Sequence, residues 1–119
     1  MAKISAEDQR KMAGLEEAKR KWDHVYALVE QAAQGGARRP DPVYVGQIGR
    51  AAKGVAMVLR ESGFPVIAQA ADEMPMILRS GSAPLRNARD RTAAVRASID
   101  QAYRTTRTEA QKIKPVEGD

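Results

Sequence analysis

The sequence has no cysteine and a single histidine. The first absence excludes a disulfide framework and any thiolate metal or redox site. The second leaves no histidine-rich metal centre, and Lys21, not a carboxylate, stands three residues before His24, so the Glu-x-x-His pattern of bundle metal sites is missing too. No metal and no cofactor is expected. Aromatic residues number five (Trp22, Tyr26, Tyr44, Phe64, Tyr103), too few for the base stacking that drives single-strand recognition. The first residues, MAKISAEDQRKMAG, carry charge where a signal peptide needs an apolar run of about 7 to 15 residues. No later apolar run approaches the roughly 20 residues of a membrane span. These absences predict a cytoplasmic protein with no membrane partner. No stretch alternates apolar and polar residues between turn signals as a strand does, and no nucleophile and base pattern is visible, so no enzyme is expected.

What is present is aliphatic, rich in alanine and basic. The 119 residues fall within the usual size of one domain. The 20 Lys and Arg outnumber the 15 Asp and Glu, for a net charge of +5, which draws acidic partners by long-range attraction. Ser5 caps a helix predicted over 5–34, with Glu7 and Asp8 in its first turn. Along it Leu15, Trp22 and Val29 recur every seven residues, interleaved by Ala18, Val25 and Ala32, the seam of a bundle helix. Gly35 and Gly36 end it. Asp41 and Pro42 open a second helix over 42–62, and Pro65 marks a third over 64–79. The apolar positions of the third (Ile67, Ala70, Ala71, Met74, Ile77, Leu78) are interrupted by Pro75, which predicts a kink between Ala71 and Pro75 or an early end.

Ser82 and Pro84 open a fourth helix over 82–112, with Leu85, Ala88, Thr92, Val95, Ile99, Ala102, Thr106 and Ile113 on one face. Thr105, Thr106 and Thr108 lower helix propensity, so its last turns are expected to fray, and 115–119 to form a disordered tail. Four amphipathic helices with short links predict an all-α, antiparallel up-and-down four-helix bundle. The seams of the first and last helices would equally serve a coiled-coil homodimer.

The second helix is apolar on one side and bare on the other. At 100° per residue, Val45, Ile48, Ala52, Val55 and Leu59 share a face, and Gly46, Gly49, Arg50, Lys53, Met57 and Arg60 gather opposite, with Gly54 at the margin. Each interior glycine costs roughly 1 kcal/mol relative to alanine. Glycines on the outward face therefore point to a surface that a partner approaches closely, with Arg50 and Lys53 beside it to meet an aspartate cluster or a phosphate. Ordinary solvated charges, with glycines serving neighbour packing, are the plainer reading of the same residues.

The order of helices, with an exposed Lys-Gly pair on the second, resembles a histidine-containing phosphotransfer (HPt) domain. Such domains carry His-x-x-Lys-Gly on an exposed helix face. The histidine takes a phosphoryl group, the lysine sits by the phosphate, and the glycine lets a receiver domain approach. The corresponding stretch here is Arg50-Ala51-Ala52-Lys53-Gly54, in which Lys53 and Gly54 match and arginine stands at the histidine's place. The resemblance implies a docking surface for an acidic signalling partner without phosphoryl transfer, and it ranks a phosphocarrier last. His24 is predicted to be a plain surface histidine, because Ala27 and Leu28 stand where lysine and glycine would follow it.

A second basic feature lies along one shoulder of the fourth helix: Arg86, Arg89, Arg96, Arg104, Arg107 and Lys114. Such a stripe, extended by Arg38 and Arg39, suits a phosphate backbone and makes nucleic-acid binding the alternative function. Asp90 and Asp100 interrupt it, and arginine stems covering the core's edge explain it as well. Trp22 is expected in the core and Met57 outside it.

Overall fold

Helices begin where a side chain or a proline takes care of the first free backbone amides. Ser5 Oγ accepts from the Asp8 amide at 3.1 Å, and α1 follows over Ala6–Ala33. Asp41 Oδ1 accepts from the Val43 amide at 2.8 Å and opens α2, Pro42–Glu61. The remaining helices, α3 (Pro65–Asp72), α4 (Met74–Arg79) and α5 (Pro84–Lys112), each have proline at the first or second position. The computed structural model describes residues 5–34 and 39–112, and all regular structure among them is helical. Gly35, Gly36, Arg38, Ile113, Lys114 and the expected tail at 115–119 lie outside the described residues. No helix among those described is long and apolar enough to cross a membrane.

The end of α2 shows why Gly63 is glycine. The Gly63 amide donates to the Arg60 carbonyl at 3.1 Å and the Phe64 amide to the Leu59 carbonyl at 2.8 Å, with Gly63 at φ 93°. This is the Schellman pattern, which needs a left-handed residue just past the helix. Gly63→Ala is expected to lower stability by about 1 kcal/mol, the cost of a Cβ in that region. An unchanged urea midpoint would mean that position 63 does not hold a positive φ.

The third helix expected over 64–79, with a kink or early end between Ala71 and Pro75, is divided within that interval into two helices. Pro75 has no amide to donate back into α3, and the chain breaks at Glu73 (φ −79°, ψ −5°) before resuming as α4. Arg91 of α5 spans the break, donating from Nη1 to the Ala70 carbonyl at 3.1 Å and to Glu73 Oε1 at 2.6 Å. The hydrogen bond from Arg91, and after it one from Gln69, hold the Glu73 carboxyl below its ordinary range. On α5, Thr105, Thr106 and Thr108 remain helical, and the turns expected to fray continue to Lys112.

α1 packs against α2 and α5, and α3 and α4 bridge α2 to α5. Contacts fix the directions. Glu16, Asp23 and Glu30 of α1 meet Tyr103, Arg96 and Arg89 of α5 in that order, so these two helices run oppositely. The core takes Leu15, Trp22, Val25 and Val29 from α1, Ile48, Ala52, Val55, Ala56 and Leu59 from α2, Ala68, Ala71, Met74 and Leu78 from α3 and α4, and Ala88, Val95 and Ile99 from α5. The α1 seam from Leu15 to Ala32 and the α5 seam from Leu85 to Ile99 are thus buried within one chain, whereas Ala102 and Thr106 further along α5 are half-buried. Trp22 is completely buried, and its indole Nε1 donates to the Thr92 carbonyl at 2.9 Å. Thr92, the polar member of the α5 seam, turns its hydroxyl onto the Arg89 carbonyl at 2.7 Å.

Candidate docking site between α1 and α2

The outward face of α2 is divided by its neighbours. Arg50, Lys53, Met57 and Arg60 are all exposed, but they do not form one free surface. Arg60 Nη1 lies 2.7 Å from Asp72 Oδ2 and fastens α2 to α3. Gly49 lies under α4, where an added Cβ would stand 3.2 Å from Pro75 Cγ. The expectation that Gly49 opens the outward face is therefore corrected: this glycine lets α4 pack. A Cβ on Gly46 would make only an ordinary contact with Arg50 Nη1, at 3.6 Å. Gly54 is the most open of the three, since a Cβ built on it meets nothing within 4 Å.

Gly54 opens into a cleft of about 480 Å³ between α1 and α2, lined by Arg20, Lys21, His24, Arg50 and Ala51 besides itself. His24 is exposed, as expected. Its neighbours, however, are supplied by another helix: Arg50 and Gly54, not the residues that follow it in sequence. Lys21 lies 3.7 Å from Glu17, its only ion pair among the described residues. Arg20, Arg50 and Lys53 have no ion pair among the described residues. Lys53 does not line the cleft but stands one residue from Gly54 on the exposed side of α2. Sequence reasoning missed Arg20 and Lys21, because a helical period assigns residues to a face without saying which neighbour borders it. No group of three or more His, Asp or Glu that could hold a metal ion occurs among the described residues.

The basic shoulder of α5 is placed differently. Arg89 grips Glu30 through Nε at 2.9 Å and Nη2 at 3.3 Å. Arg96 binds Asp23, and its Nε lies 3.8 Å from Asp100. Arg104 donates to Gln101 at 3.0 Å. Arg86 and Arg107 are exposed and have no ion pair among the described residues. Lys19 joins Asp100 at 3.5 Å, and the Tyr103 hydroxyl donates to Glu16 at 3.0 Å, which raises its pKa. The signal for this ladder was in the sequence. Glu16, Asp23 and Glu30 repeat every seven residues on α1, as do Arg89, Arg96 and Tyr103 on α5, the spacing of flanking pairs beside a heptad seam.

No protein-family model matches this sequence, and no curated protein or solved structure is significantly similar to it.

Proposed function

We propose that this protein is a non-enzymatic, cytoplasmic interaction module of the signalling-adaptor kind, which docks an acidic protein partner on the exposed side of α2. On this reading the fold is an antiparallel up-and-down four-helix bundle in which α3 and α4 together make the third member. The HPt resemblance keeps its docking surface and loses its phosphoryl transfer, because Arg50 stands where the acceptor histidine would. The observation that carries the reading is the contrast between the two basic surfaces. Arg50 and Lys53 are exposed beside the open Gly54 and have no ion pair among the described residues, whereas Arg89 and Arg96 in the middle of the α5 shoulder are engaged by α1 carboxylates, which leaves Arg86, Arg104 and Arg107 as separated charges towards its two ends. Charges already neutralised inside the molecule contribute little to holding a partner.

The test is a pull-down from native extract with wild type and with Arg50→Glu combined with Lys53→Glu, with and without nuclease. A partner at least tenfold depleted on the double variant and indifferent to nuclease is the expected result, since two reversed charges meet an acidic surface with repulsion. Retention that vanishes with nuclease while the variant behaves as wild type would replace this reading with nucleic-acid binding along α5.

A further inference from the structure

We infer that the α1–α2 cleft is a receptor for a phosphate monoester, presented on a phosphorylated side chain of the docked protein. The inference rests on the interaction-module reading and adds to it the ligand and the half of the site that α1 supplies. Arg20, Lys21, His24 and Arg50 come from two helices to one recess, and no carboxylate lines it. Both guanidiniums are without an intramolecular ion pair among the described residues, so each keeps its planar fork of donors for an incoming anion.

The cleft's shape selects the source of that anion. Its uncharged lining is Ala51 and Gly54, and a Cβ built on Gly54 meets nothing within 4 Å, so a side chain reaching in brings its own backbone close to α2 without a clash there. A carboxylate brings one negative charge and two oxygens to three cations. A dianionic phosphate has oxygens enough for both arginines and for Lys21, whose bond to Glu17 at 3.7 Å is a loose i,i+4 surface pair that an anion can displace.

The probes are inorganic phosphate, acetyl-Gly-phosphoserine-Gly-amide and the same peptide without phosphate, titrated into 15N-labelled full chain at constant ionic strength. Both phosphorylated probes are expected to shift the amides and side chains of Arg20, Lys21, His24, Arg50 and Gly54, the unphosphorylated peptide none of them. Arg20→Gln and Arg50→Gln should each weaken phosphopeptide binding about tenfold, the loss of one charge-assisted contact. Arg10→Gln, which removes the same charge from the exposed first part of α1, should leave it unchanged. Shifts spread evenly over the basic residues of α1 and α5, or an equal loss with Arg10→Gln, would reduce the effect to charge screening and overturn the inference. So would binding of inorganic phosphate alone, which would make free phosphate the ligand. If the acidic partner is captured through Arg50 and Lys53 but neither phosphorylated probe binds, the module reading stands and the phosphate receptor falls.

Discussion

Replacing Trp22 with alanine is expected to cost about 3–5 kcal/mol of folding free energy, the range for truncating a large buried ring. A domain of this size is stable by only about 5–15 kcal/mol, so the variant stands near the edge of folding. Two effects add. The ring is fully buried among residues of several helices, and its removal leaves a cavity that rigid neighbours fill only in part. The indole also donates to the Thr92 carbonyl across the α1–α5 contact, and alanine offers no donor. Trp22→Phe separates the two, keeping most of the apolar volume and losing the hydrogen bond, for about 1–2 kcal/mol. Because this is the chain's one tryptophan, unfolding is best followed by far-ultraviolet circular dichroism in urea. A loss below about 1 kcal/mol for Trp22→Ala would contradict a core position.

Gly14→Val gives the second large effect. A Cβ at position 14 would stand 1.8 Å from Ser62 Oγ and 2.8 Å from Ser62 Cβ, so the start of α1 and the end of α2 touch through this glycine. Rotating the hydroxyl relieves the first clash but not the second. The helices must part, and overpacking of this kind costs about 1–3 kcal/mol. Valine adds two methyls to the clash, which places the expectation at the upper end. Ser62→Gly in the same chain should return most of the loss by removing the atoms that collide, a coupling that a double-mutant cycle reads directly. Full additivity of the two substitutions would show that the residues do not meet.

Position 14 also marks where reading the sequence stops. The seam Leu15, Trp22, Val29 is buried as its spacing foretold, as are Val45, Ile48, Ala52, Val55 and Leu59 on α2, because a period of 3.6 records which face meets the core. Met57 was placed outside and is exposed. The same period is silent about what stands across a groove. Gly14 is small because of Ser62, Gly49 because of Pro75, and neither partner is near in sequence. The glycines of α2 thus looked alike in the sequence and differ in the structure: Gly49 is filled by Pro75, whereas Gly54 borders open space. The candidate site was legible by halves for the same cause: Arg50 and Gly54 could be named from α2, whereas Arg20 and Lys21 required the relative register of α1 and α2.

The α1–α5 ladder bears on the register in which the two ends of the molecule meet. Its rungs join residues 59, 73 and 87 apart along the chain, so the first and last helices meet by closing a loop of half the polypeptide or more. Closure entropy grows with the logarithm of loop length, and between the shortest and longest rung it differs by only about 0.3 kcal/mol. No rung has a meaningful head start from proximity. With no rung favoured, what the heptad-matched charges add is a choice of register: a slip of α5 along α1 by one turn would set Arg89 and Arg96 away from Glu30 and Asp23 together.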